Sequence, residues 1–546
     1  MPPLSTDRTD MLDRLRKSIA RAIAPGRGQP GAAYMRSQQI GASIFSAPAP
    51  ALRDAADDVK MAWVQAASRA IDVMHNNGWI SGVVDALMSV MIGDGLKPNF
   101  KPDMTWAGWD QKQTSEWARR AEKRFEGYAS DPWQVDAGGR YALPQLQAAA
   151  VRQWFATGEI VGEIRMIPRP GVTSNTKLRL LPSHWLSQRS DITRKLDQGV
   201  FLDPNGAPAG YLFEIKGQWN EKVEVERAAR DAFGRPIIVH VFDGSAGQIR
   251  GITPIAPVLR VLRDYDQLSN ATLVAAMIQA IFAATVESEY PTSEVLDALK
   301  DQDEQDGNDA GSRFESFMDQ KVGWHQNVNI DLGRNGKIAH MMMGETLKFN
   351  RSEHPNENYE AFANMLLREI ARCAGALFED LTGDYRGATY SSIRMGIAKQ
   401  WPLLLYRRKH IPTPFSQRLA EAWLEEEIDR GDMEIPGGID AFVANRASIC
   451  RMDWRGPAKP VADEVKAAAA HQTYRNMGVI TDEMICADLG VDHEDVYLGR
   501  AAEKAMREEL GIHGGITNGG IDIDEMADPS APDAPPENGG APANGQ

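Results

Sequence analysis

The chain has 546 residues, 43% of them hydrophobic and 25% charged, with a formal net charge of −15. That length exceeds one simple core and calls for two to four folding units, at roughly 100–200 residues each. The acid excess argues against a protein that grips DNA by neutralising phosphates, and no apolar run reaches the ~18–20 residues needed to span a bilayer, so no membrane partner is expected.

From the N-terminus, MPPLSTDRTDMLDRLRKSIARAIAPGRG lacks the continuous apolar core of a secretory signal. Met11, Leu15, Ile19 and Ile23 recur every four residues, with Arg14, Arg16, Lys17 and Arg21 between them. This pattern predicts a short basic amphipathic helix, lying on the surface or docked on a partner. Residues 25–52 are rich in Gly, Pro, Ala and Ser and read as an extended arm. A helix is expected from Asp54 to Val73, stopped by NNGW, and a second one over SGVVDALMSVMIG, ending at GDG before the strand-like LKPNFKP. Residues 113–128 and 144–157 read as helices. GEIVGEIRMI, KLRLLP, AGYLFEIK and PIIVHVF read as strands, so the region from about 95 to 245 is mixed.

After GITP (Gly251 to Pro254) no helix breaker occurs from Val258 to Glu289. A helix of roughly 45–50 Å is expected there, apolar around much of its circumference. An acidic segment follows, with Asp301, Asp303, Glu304, Asp306 and Asp309, then the strand-like GWHQNVNIDL and KIAHMMM. A second long helix is expected over 358–378, and a third helical run reaches about Gly431. Between them lies GDYRGATYSS (Gly383 to Ser392), polar and glycine-bearing, where an ordinary connection needs only a few residues. Residues 461–509 read as alanine-rich helices with a turn at MGVITDEM. From about Gly514 the composition cannot offset its ordering entropy, and disorder is expected.

Motifs for catalysis are missing. GRNGKI places Ile338 where a phosphate-binding loop needs Ser or Thr, and its first glycine is too close. The histidines form no HExxH, the acidic cluster lacks the EF-hand order, and no GxSxG is present. Cys373, Cys450 and Cys486 form no CxxC, which favours a reducing compartment. No enzyme, no cofactor and no metal is expected. The organisation suits a structural subunit that assembles through its helices, as head-to-tail copies that close into a ring.

Several stretches carry a family likeness: NNGWISGVVDALMSVMIGDGLKP, FATGEIVGEIR, HVFDGSAGQIRGITPIAPVLRVL, QAIFAATVESE, DYRGATYSSIRMGIAKQWPLLLYRRKHI and LGRAAEKAMREELG. In this order they resemble the lambda-like portal proteins of tailed phages, over residues 55–510. The resemblance implies an α+β portal-type subunit, with a mixed α/β wing, a long helical stem, a small α/β clip, a polar tunnel loop and a helical crown. Its expected parts are an N-terminal arm (1–54), wing (55–257), first stem helix (258–289), clip (290–355), second stem helix (358–378), tunnel loop (379–392), wing helix (393–432), C-terminal wing and crown (433–513) and disordered tail (514–546). The function implied is a dodecameric ring at one capsid vertex of the virion, assembled in the host cytoplasm. It would be a channel for double-stranded DNA, without sequence specificity. The implied partners are the terminase large subunit, the head–tail connector or adaptor, the major capsid protein and the scaffold. Asp384, Tyr385, Arg386, Gly387, Thr389 and Tyr390 are then the expected channel residues. A capsid or scaffold subunit, or a DNA-packaging enzyme, is the alternative. The enzyme would need a complete phosphate loop or a carboxylate pair for two metals.

Overall fold

The computed structural model describes residues 52–217, 221–281, 284–288, 345–349, 357–461 and 463–510. The expected N-terminal amphipathic helix, the acidic segment, the strand-like 323–343 and the C-terminal tail lie outside them. Two compact units result: 1–259 with 369–546, and 260–368.

The first unit opens with α1 (Ala55–Asn76) and α2 (Gly78–Met91), separated at Asn77. The Asn77 side chain accepts from the backbone of Trp79 and Ile80, so the NNGW break is an N-cap for the second helix. β1 (Lys97–Phe100), α3 (Gln111–Ser130) and α4 (Leu143–Thr157) follow. β2 (Glu159–Met166) pairs antiparallel with both β3 (Thr176–Leu181) and β8 (Ile238–Phe242). Between them lies an antiparallel sheet ordered β4 (Leu196–Asp197), β5 (Val200–Leu202), β6 (Pro208–Lys216), β7 (Lys222–Ala228). Val161, Leu186, Tyr211, Phe213 and Ile238 share one buried cluster that joins the two sheets.

The second unit holds most of α5 (Leu259–Ile281), β9 (Ala284–Ser288) paired antiparallel with β10 (Glu345–Phe349), and the start of α6 (Glu357–Ala374). The expected first stem helix was drawn to residue 289. It ends eight residues earlier, because the β-branched Thr285 and Val286 lie in a strand that finds a partner in β10. The second long helix ends at Ala374 rather than 378, before Gly375; a short helix α7 (Phe378–Thr382) follows.

The third helical run, drawn as one helix over 393–432, is two: α8 (Tyr390–His410) and α9 (Pro412–Asp429). Pro412 has no N–H to continue α8 and instead opens α9, where the missing donor costs nothing. α9 is the central element of the first unit. Phe415, Leu419, Trp423 and Leu424 are fully buried, and Trp423 meets Phe125 edge-on at 5.1 Å and stacks on Tyr128 at 5.8 Å. Its acids are buried as well, each with partners: Glu425 with Arg235 and Arg446, Glu427 with Arg124 and Arg430. Glu426 accepts from Ser174, from Thr176 and from the Asn175 and Thr176 N–H groups, which fixes the entry to β3. α10 (Gly438–Ile449) leads to β11 (Met452–Arg455), which pairs antiparallel with β1. The C-terminal helices are α11 (Glu464–Asn476), α12 (Asp482–Asp488) and α13 (His493–Glu509). No helix among the described residues is long and apolar enough to cross a membrane.

Candidate nucleic-acid interface

The polar stretch is shorter than the sequence suggests. Phe378–Thr382 is helical, and Tyr390, Ser391 and Ser392 already form the first turn of α8. The loop proper is therefore Gly383 to Thr389, not 379–392. Thr389 caps α8: its hydroxyl accepts from the Ser392 N–H, while the Ser392 hydroxyl accepts from the Thr389 N–H. The Ala388 N–H donates to the Tyr385 carbonyl, closing a turn with Gly387 at φ +75°, a value that excludes most side chains at that position. Two capped ends and a closed turn make this a built loop rather than a slack one.

Its chemistry follows from two side chains. Arg386 forks onto the Asp384 carboxylate, with Nε at 2.9 and 3.0 Å and Nη2 at 2.7 Å, and the Arg386 N–H adds a bond to the same carboxylate. These hydrogen bonds from Arg386, first those of its side chain, bring the Asp384 carboxyl down to about 2. At neutral pH the pair is locked and carries no net charge. Tyr385 and Tyr390 are 57% and 50% exposed and flank it. Asp384, Tyr385, Arg386, Gly387 and Thr389 are thus brought together, and Tyr390 stands at the mouth of α8.

The anchoring of this loop was not read from the sequence. Arg407 donates to the Ala374 carbonyl at 2.6 Å, satisfying an orphan carbonyl at the end of α6. Arg408 does the same for α2, donating to the carbonyls of Met91 and Val90. Burial pushes both guanidinium groups down in pKa, yet each keeps its charge where helix dipoles favour it. The basic RRK run is therefore a pair of helix-end clamps, not a phosphate grip.

A second assembly holds the chain where α5 begins. Arg250 and Glu159 are both fully buried and paired, Nη2 to Oε1 at 2.5 Å, with Nε at 3.0 and 2.9 Å. The remaining Arg250 donors reach the carbonyls of Gln198, Ser187 and Ser183. Glu159 also meets His240 Nε2 at 3.1 Å and accepts from the Gly251 N–H. Burial alone would raise the Glu159 carboxyl; Arg250 and His240 outweigh it and hold it at about 2. The Trp63 ring covers the guanidinium at 4.7 Å. Gly158 sits against this junction at φ +87°; a Cβ there would fall 2.0 Å from the Ile252 carbonyl carbon. RGITP is thus a buried lock. The signal available in the sequence was an arginine in an otherwise apolar, glycine-flanked stretch.

Among the described residues, no group of three or more His, Cys, Asp or Glu is placed to hold a metal ion. The acidic cluster at 301–309 lies outside them. Buried charges clamp helix ends and lock a connection, and the charges of the exposed turn cancel. The family described as phage portal protein, lambda family, matches residues 44–408, so the chain belongs to that family, as its motifs indicated. It is a structural portal protein of the phage virion and not an enzyme. The portal protein of Escherichia phage N15 is 23% identical over 453 residues, covering 82% of this chain and 85% of the relative. Portal protein B of Escherichia phage lambda is 23% identical over 452 residues, covering 82% and 84%. Among solved structures, the neck of an empty GTA particle aligns with a TM-score of 0.43 at 14% identity, covering 77% of this chain and 93% of that one.

Proposed function

We propose that twelve copies of this chain form a ring at one capsid vertex, through which double-stranded DNA is packaged and ejected. The Gly383–Thr389 turn is the element that faces the DNA. The observation that carries this reading is the locked Asp384–Arg386 pair between two exposed tyrosines. A wall that lets DNA slide must not collect phosphate contacts, since each one raises affinity and salt dependence. A cation already held by a neighbouring carboxylate keeps the DNA centred without gripping it, and contact with the backbone carries no sequence information. In this reading residues 55–257 and 390–432 are the wing, 259–281 and 357–374 the stem, 290–355 the clip, and 433–513 the C-terminal wing and crown. The clip would face the terminase large subunit and later the head–tail connector, and the ring would assemble in the host cytoplasm with scaffold and major capsid protein.

The test is photo-crosslinking from position 385. A benzoylphenylalanine replacing Tyr385 in assembled rings loaded with DNA should label the DNA, while the same group at Val443, on α10, should not. Equal labelling from both positions, or none from 385, contradicts the assignment of the loop to the channel.

A further inference from the structure

We infer that the basic amphipathic segment from Met11 to Ile23 docks on the solvent face of α1 in its own chain and in the cleft at the end of that helix. The inference concerns a single chain and does not depend on the ring reading.

The surface is continuous. Met61, Val64, Ser68, Ile71 and His75 follow one another at spacings of three or four, which makes each the neighbour of the next on one side of α1. Met61 is 47% and Val64 57% exposed, and Ile71 is half-buried. The opposite side, with Val59, Trp63, Ala66 and Ala70, is packed against the body. A helix with apolar side chains on both sides has a second face to bury, and the described residues cover only the first. Ile71, Met74 and His75 then lead into a cleft of about 580 Å³, whose other walls include Val84 of α2, Ala156 of α4, and Leu180 and Pro182 at the end of β3. Asp85 and Arg152 stand at its mouth, paired at 3.3 Å and both more than half exposed, so the cleft opens to solvent. Its size and its mainly apolar lining are those of a site that takes apolar groups.

Three observations select the occupant. The first is where the described chain begins. Leu52 is fully exposed, and Arg53 Nη1 lies 3.4 Å from Met61 Sδ, so the chain joins α1 against this face. The second is reach. Residues 24–51 span on the order of 90 Å when extended, far more than the length of α1. A helix over 11–23 would measure roughly 20 Å, equal to the rise from Met61 to Met74. The third is chemistry. Met11, Leu15, Ile19 and Ile23, at every fourth position, form the row of anchors with which an amphipathic helix enters a groove. Arg14, Arg16, Lys17 and Arg21 accompany them, against the single acid Asp13. The exposed side of α1 is flanked by Asp54, Asp57, Asp58 and Asp72, which outnumber Lys60 and Arg69. So short a segment does not hold a helix by propensity alone, and this face supplies the packing that it lacks.

The experiment uses the full chain with a benzoylphenylalanine replacing Val64, prepared in isotopically heavy and light forms that are mixed before assembly and photolysed. Crosslinked peptides joining position 64 to residues 11–23 are expected, as heavy–heavy and light–light pairs alone. In parallel, trypsin cleavage after Arg14, Arg16, Lys17 and Arg21 is timed in the wild type and in Leu15→Asp with Ile19→Asp. Proteolysis follows the population of the undocked form, so the variant should be cut at least about fivefold faster. The thermal midpoint of the body should stay put, because the substitutions lie outside it. Heavy–light pairs would assign the face to another copy of the chain. Crosslinks that miss residues 11–23, or equal cleavage rates, would leave the segment undocked. Each of these results overturns the inference.

Discussion

Replacing Arg250 with Met tests the lock at the start of α5. The substitution roughly keeps volume and removes the guanidinium paired with Glu159, leaving a carboxylate with no solvent access beside His240 and the Gly251 N–H. Breaking one side of a buried pair typically costs about 3–5 kcal/mol, because the remaining charge is uncompensated. The pKa argument gives a similar size. A carboxyl lowered from 4.5 to about 2 corresponds to roughly 3 kcal/mol at about 1.4 kcal/mol per unit. The sign follows: the folded-state value is depressed, so this stabilisation is present above pH 4.5 and is lost as pH falls toward 2. Urea unfolding followed by tryptophan fluorescence at pH 7 is the assay, with Glu159→Gln and the double variant completing a cycle. The double variant should be clearly more stable than the sum of the singles predicts, since it leaves no orphaned charge. Single-variant costs below about 1 kcal/mol, adding without coupling, would refute the reasoning.

Three further outcomes follow from the geometry. Glu122 sits in a partly buried site where desolvation, with Asp492 and Glu494 adding, raises its carboxyl to about 7 against the Phe100 N–H and Arg455. The folded state therefore holds a proton that the unfolded chain releases, and stability falls as pH rises from 4.5 to 7. Glu122→Gln should flatten that slope and raise stability at pH 8 by up to roughly 2 kcal/mol after solvent screening, as read from thermal melts. Gly158→Ala should cost at least about 3 kcal/mol, or prevent soluble expression, because its Cβ would collide with the Ile252 backbone at 2.0 Å; a melting point within two or three degrees of wild type would contradict the packing. Asp384→Asn should release Arg386 from its carboxylate. DNA binding by the assembled protein should tighten several-fold and its salt slope steepen by about one contact per engaged arginine, measured by filter binding across a salt series.

The sequence revealed most of the elements because their signals are local. Runs of β-type residues such as EIVGEIRM and the NNGW stop depend on neighbouring residues, and β2 and α2 fall where they predict. Family membership was also legible, since the order of RGITP, ATYSSIR and RRK survives without any structure. What was hidden depends on distant partners. β7 looks too charged to be a strand, yet Lys222–Ala228 pairs with β6 along its full length. α9 has four acids on buried positions, against the usual amphipathic pattern; Arg124, Arg235, Arg446, Ser174 and Thr176, brought in from distant segments, together with Arg418 and Arg430 nearby, make that tolerable. Of the polar stretch 379–392, only Gly383 to Thr389 lies outside helices. Helix capping by Thr389 and Gly383 is a short-range effect that polar composition alone conceals. Arg407 and Arg408, which sequence reading left without a role, are helix-end clamps in space.

The central claim is tested most directly by electron cryo-microscopy of the purified protein, with native mass on the same sample. The account predicts a ring with an open axial channel, a mass of twelve chains of 60.1 kDa each, and density for the Gly383–Thr389 turn on the channel wall. A compact monomer or dimer that hydrolyses ATP or cuts DNA would contradict it, as would a ring whose channel is lined by a continuous row of arginines and lysines.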